Sequence, residues 1–333
     1  MAKVAVIVPN YNHARYLPQR IESVLNQSYR DFDLLILDDK SPDNSRDIID
    51  GYRSNPRVQV HYNDVNSGST YRQWTKAIAL TSSEYIWFAE SDDYADPTLL
   101  SRLVGTLEAN PNVGMAICES IIVDENNKHV GVYSELFKSN GDLGGVTLPP
   151  TDHDFIEDGR EYCRRYMVPW NTIPNASAVL FRRSAFEAIG GPVTDLRICG
   201  DWLTYCKILM RYDISRIATP LNYFRKHGNN VRTRTKMDTY MTEQRQVRAY
   251  VAAELQSREP FRHRTAMLLF ESQLIMADER RPPNGKVPAN RLLPTLSNAA
   301  KYGPGLFAST LGVLVKERTA SVLQLLGVRR AKQ

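Results

Sequence analysis

Cysteine is scarce: Cys118, Cys163, Cys199 and Cys206 are the only four in 333 residues, and they form no CxxC pair and accompany no histidine cluster. That spacing excludes a disulfide framework and a structural zinc site, and it fits a reducing cytosol. No stretch approaches about 18 uninterrupted apolar residues, so no spanning helix is expected. The N-terminal apolar run breaks at Pro9-Asn10 and lacks a small-residue cleavage site, so it reads as a first strand and not as a signal peptide. Internal repeats and low-complexity tracts are absent. So is the Gly-rich, Lys-bearing N-terminal loop expected of a nucleotidyltransferase.

What remains is an ordinary globular composition, 42% hydrophobic and 24% charged, long enough for one large α/β domain with a C-terminal appendage. Residues 3–8, KVAVIV, are nearly all apolar and rich in β-branched side chains, as in a strand buried on both faces of a parallel sheet. An amphipathic helix is expected over 15–28 and a second strand over 32–37, ending at Asp38-Asp39. The spacing then predicts a helix over 46–52, a strand over 58–62 and a helix over 71–80 before the next strand. Such a β-α-β-α-β-α-β order within about a hundred residues implies a doubly wound, mostly parallel sheet with right-handed crossovers.

The fourth of these strands is the most informative stretch, EYIWFAESDDYAD at 84–96. Its apolar residues deliver Glu90, Ser91, Asp92 and Asp93 to a strand end, where ligands of open α/β sheets bind. Adjacent carboxylates repel unless a cation neutralises them, and hard oxygen ligands suit Mg²⁺ or Mn²⁺. The plainer reading is a solvated turn in which Asp96 caps a helix whose first residue is Pro97. Polar groups gathered at three strand ends, at 9–12, 38–39 and 91–93, favour the ligand. Further on, a strand over 113–123, an irregular excursion over 124–175, a strand over 177–181 and a helix opening at Gly200-Asp201-Trp202 are expected.

From residue 4 to about 227 the chain resembles an inverting family 2 glycosyltransferase with the GT-A fold, a Rossmann-like, mostly parallel sheet flanked by helices. The segments that carry the resemblance are VAVIVPNYNHARYLPQRIESVLNQSY at 4–29, LLILDDKSPDNS at 34–45, NSGSTYRQW at 66–74, EYIWFAESDDYADP at 84–97 and GDW at 200–202. It implies that Pro9, Tyr11 and Asp39 hold the nucleotide base, with Asp39 accepting from a pyrimidine imide nitrogen of UDP or dTDP. By the same resemblance, Asp92 is expected nearer the ribose and Asp93 on a Mn²⁺ or Mg²⁺ ion, with His227 as a further metal or diphosphate ligand. It also implies that Asp201 is the general base that takes the proton of an acceptor hydroxyl. The family's Ala-x-Asn-x-Gly segment is replaced by Arg72-Gln73-Trp74-Thr75-Lys76, where Arg72 could serve the phosphates. The Gln-x-x-Arg-Trp motif of processive synthases is missing, which argues against a polymerising enzyme. The alternative is a non-catalytic nucleotide-sugar or glycan binding protein on the same fold.

These readings divide the chain into a catalytic domain (1–232), a helical extension (233–281) and a basic amphipathic tail (282–333). From 284 to 333 eight basic residues face one acid, a net +7, which leaves −2 on the remainder of a chain whose total is +5. Such a tail suits an anionic membrane surface on the cytosolic face, with a lipid-linked or surface glycan as acceptor. Its other expected partner is a second subunit. Nucleic acid is not expected, since no basic-aromatic array accompanies the charge.

Overall fold

The computed structural model of the chain describes residues 2–135, 148–168, 170–228 and 235–255. The basic tail, the expected helical extension beyond residue 255 and part of the excursion lie outside them. Among the described residues the strands are β1 (Val4–Asn10), β2 (Phe32–Asp38), β3 (Val58–Tyr62), β4 (Tyr85–Phe88), β5 (Tyr94–Ala95), β6 (Val113–Val123), β7 (His129–Val132), β8 (Phe155–Glu157), β9 (Val179–Arg182) and β10 (Asp213–Arg225). They form one sheet in the order β3-β2-β1-β4-β9-β6-β10-β5, with β7 on β6 and β8 on β10. Strands β3, β2, β1 and β4 are parallel, as the crossover pattern predicts. Beyond β4 the sheet is mixed, because β9 enters antiparallel between β4 and β6.

The helices are α1 (Leu17–Leu25), α2 (Ser45–Asp50), α3 (Thr70–Leu80), α4 (Leu99–Ala109), a short α5 (Gly159–Tyr162), α6 (Arg183–Ile189), α7 (Gly200–Leu209) and α8 (Met237–Glu254). Strand alternation sorts them onto two faces. Val4, Val6 and Val8 of β1, with Tyr85 and Trp87 of β4, join one buried cluster with Leu17, Ile21 and Val24 of α1 and Leu99, Leu103 and Leu107 of α4. On the other face, Phe88 stacks on Trp74 of α3 at 4.2 Å and meets Phe186 of α6 edge-on at 5.9 Å. The centre of the sheet is therefore covered on both sides, which explains why β1 and β4 carry no polar residue until their carboxyl ends.

One detail differs from the sequence reading. Helix α4 begins at Leu99, with Thr98 at its N-cap, so Asp96 does not cap it. Asp96 instead accepts from the Thr98 amide (2.8 Å) and hydroxyl, closing a turn one step earlier. Helix α8 belongs to the same compact unit as the sheet. Among the described residues no helix is long and apolar enough to cross a membrane.

Candidate active site

The acidic turn after β4 is held by its surroundings before it can hold anything else. The Ala89 amide donates to Ile7 O (2.8 Å), the Glu90 amide to Ser177 Oγ (3.0 Å) and the Asp93 amide to Glu90 O (3.2 Å). The chain then crosses to β5, whose Tyr94 and Ala95 pair antiparallel with Tyr223 and Asn222 of β10. That register carries the end of β10 back alongside the acids. Arg225 donates from its amide to Asp93 Oδ1 (2.9 Å) and from Nε to Asp92 O (2.7 Å), while His227 Nε2 lies 2.9 Å from Asp92 Oδ2.

The two aspartates face different ways. Asp93, expected to meet the metal, is 1% exposed and sealed: Oδ2 accepts from Asn175 Nδ2 at 2.5 Å and is ion-paired with Arg20 Nη2 at 3.9 Å. Asp92 is the member that joins His13 and His227 in a cluster whose ligand atoms all lie within 4.8 Å of one another. His13 reaches it from the loop after β1, where its Nδ1 meets Ser91 Oγ at 2.8 Å. A carboxylate with two imidazoles is a donor set for a divalent transition metal, better matched to Mn²⁺ than to Mg²⁺.

Charge in this turn is unevenly distributed. Burial and then the Asp92 charge push Glu90 up to about 8 and Asp93 up to about 7. Burial alone would raise Asp92 too, but the hydrogen bond with His227 and the nearby charges of His13 and His227 bring it down to about 2. Beneath the turn Arg20 is wholly buried, donating from Nε to Glu90 O (2.8 Å) and from Nη2 to Ser177 Oγ (3.0 Å). Burial lowers its guanidinium to about 10 against the attraction of Asp93, Asp92 and Glu90.

At the neighbouring strand ends, Asp39 is 4% exposed and fixed by four donors. Oδ1 accepts from Asn63 Nδ2 (2.6 Å), the Ser67 amide (2.8 Å) and Gln73 Nε2 (3.0 Å), and Oδ2 from Ser67 Oγ (2.8 Å). Pro9 is buried in β1 and Tyr11 is exposed just beyond it. Arg72 is exposed in the first turn of α3, where Nη1 donates to Ser67 O at 3.3 Å. Residues 72–76, which depart from the family pattern, turn out to tie the strand ends together: Gln73 holds Asp39, Trp74 Nε1 donates to Glu90 Oε1 (3.1 Å) and Lys76 Nζ to Asn63 Oδ1 (2.6 Å).

Asp201 sits in the first turn of α7, its Oδ1 accepting from the Trp202 amide at 2.6 Å and standing 3.5 Å from the Tyr71 hydroxyl. It lines an open cavity together with Glu90, Asn175, Arg197, Tyr71 and Trp202. Gly200 is required there, because a Cβ would lie 2.5 Å from the Tyr71 ring. Gly200→Ala is expected to cost about 1–3 kcal/mol by overpacking, read by urea unfolding; a loss below about 0.5 kcal/mol would mean that the ring yields freely. The structure thus brings Asp92 to His227 and sets Asp201 across a cavity from Glu90. His13, Arg20 and Arg225 escaped the sequence reading, although a histidine three residues beyond the end of β1 was a usable signal.

The sequence profile of glycosyl transferase family 2 matches residues 5–190. An uncharacterized glycosyltransferase from Nostoc sp. is 29% identical over 236 residues, which span 68% of this chain and 66% of that protein. The putative teichuronic acid biosynthesis glycosyltransferase TuaG of Bacillus subtilis is 37% identical over 91 residues, 27% of this chain and 36% of its own length. The chain thus spans less than two thirds of each of these relatives. Among solved structures, S. aureus TarS 1-349 in complex with UDP-GlcNAc superposes with a TM-score of 0.64 at 16% identity, covering 99% of this chain and 93% of that one. At that identity the likeness is one of fold, and it is the α/β fold of the GT-A type.

Proposed function

The chain belongs to glycosyl transferase family 2, and from that premise we propose that it moves a sugar from a UDP- or dTDP-linked donor to a hydroxyl of a surface-glycan or lipid-linked acceptor, with inversion at the anomeric carbon. The observation that carries this reading is the single cavity into which both Asp201 and Glu90 of the acidic turn open. Asp39 accepts from the imide N–H of the base, with Tyr11 exposed at the neighbouring strand end to offer a stacking face. UDP is the favoured nucleotide because the structural neighbour TarS was solved with UDP-GlcNAc, and dTDP offers the same imide edge. Asp92, His227 and His13 would hold the divalent metal, Mn²⁺ in preference to Mg²⁺, in place of the Asp93 ligation expected from sequence. Such an ion supplies charge neutralisation for the departing diphosphate. Asp201 removes the acceptor proton as its oxygen attacks the sugar, and one displacement requires no covalent intermediate. The acceptor class and a site of action at the cytosolic membrane face rest on residues 282–333, which lie outside the described residues.

The test is thermal unfolding with a panel of UDP- and dTDP-sugars and Mn²⁺, followed by transfer assays with the sugar that binds. Donor at a hundred times its Kd is expected to stabilise the protein by about 2.7 kcal/mol. Asp92→Asn is expected to remove the Mn²⁺-dependent part of that shift. If no UDP- or dTDP-sugar stabilises the protein with either Mn²⁺ or Mg²⁺, the reading is wrong.

A further inference from the structure

The loop that leads into Asp201 is gripped from two sides, and one grip comes from a helix far along the chain. Glu243 of α8 is 7% exposed and accepts from three consecutive backbone amides: Arg197 N to Oε1 (2.8 Å), Ile198 N to Oε2 (2.9 Å) and Cys199 N to Oε2 (2.9 Å). On the opposite side the Tyr71 hydroxyl donates to Ile198 O at 3.0 Å, and its ring closes against Gly200. The peptide units of 197–199 are thereby fixed in orientation immediately before the first turn of α7. Asp201 is the second residue of that helix and follows those peptide units directly.

We propose that Glu243 is a positioning residue for the general base: it orients the 197–199 amides and, through them, the Asp201 carboxylate towards the acceptor hydroxyl. This rests on the reading of Asp201 as the base. The carboxylate is suited to the task because both of its oxygens accept. In Glu243→Gln, one of the two becomes an NH₂ group facing amide donors, so at least one bond is lost and the loop must rotate. A misplacement on the order of 1 Å at a reacting group costs about a hundredfold in rate.

The experiment is a double-mutant cycle in the full chain using Glu243→Gln and Asp201→Asn, with turnover, donor affinity and amide exchange measured for each variant. Glu243→Gln alone is expected to lower kcat about tenfold to a hundredfold, with the calorimetric affinity for UDP and Mn²⁺ unchanged and amide exchange at 197–199 accelerated. In the Asp201→Asn background the same change is expected to cost nothing further, because its effect runs through Asp201. Equal losses in both backgrounds, a fall in UDP affinity parallel to kcat, or unchanged turnover would each overturn the proposal. If the wild-type chain transfers no sugar to any acceptor, the parent reading fails instead. Exchange at 197–199 then judges the clamp by itself, and unaltered exchange in Glu243→Gln would remove it.

Discussion

Asp201→Asn is expected to lower the turnover number for sugar transfer about a thousandfold while leaving UDP affinity within about twofold of wild type. Asparagine keeps the size of the side chain and an oxygen for the Trp202 amide, so the helix start should survive. It cannot take a proton from an attacking hydroxyl. The loss belongs to kcat, since Asp201 lines the cavity apart from the Asp39 and Asp92 groups assigned to the nucleotide and metal. Steady-state kinetics on a verified acceptor decide the matter, and full activity in this variant would remove Asp201 from the mechanism.

Arg225→Met should cost about 3–5 kcal/mol of stability, because it strands several buried acceptors at about 1–3 kcal/mol each. The Arg225 side chain is 1% exposed and joins three other segments: Nε reaches Asp92 O (2.7 Å), Nη1 Asp124 O (3.0 Å) and Nη2 Gln19 Oε1 (2.9 Å), and the guanidinium lies over the ring of Tyr16, beside Gln19, at 4.7 Å. Methionine fills comparable volume but leaves those acceptors buried without donors. Arg225→Lys keeps the charge, yet its donors radiate from one atom and cannot serve three directions, so it should recover only part of the loss. Urea unfolding measures both variants. A Met variant within about 1 kcal/mol of wild type would show that the acidic turn is held by Arg20 and the backbone alone.

The contrast between these residues shows what a linear reading can reach. The N-terminal strands were legible because burial on both faces forces long apolar runs, and a strand that stops at a polar cluster announces its own end. Asp39 and Asp92 were visible for that reason, and Gly200-Asp201-Trp202 through its resemblance to family motifs. Arg225, Arg20 and His13 were not, because their partners come from pairings across the sheet. Only the two-residue match of β5 with β10 brings Arg225 beside Asp93, 132 residues earlier. That Asp92, and not Asp93, faces the two histidines was hidden for a related reason. Neighbouring residues in a tight turn point to opposite sides, and only the buried cation below and the histidines above decide which carboxylate faces which.

Glu243 carries a lesson for anyone recombining this chain with its relatives. The family profile ends at residue 190, and a cut placed at 232 would look like a clean join between a catalytic module and an interchangeable appendage. Such a chimera would keep every group assigned to the donor and still part the base from the carboxylate that holds its loop. A chimera built on this chain should therefore carry α8 along with the strands it follows.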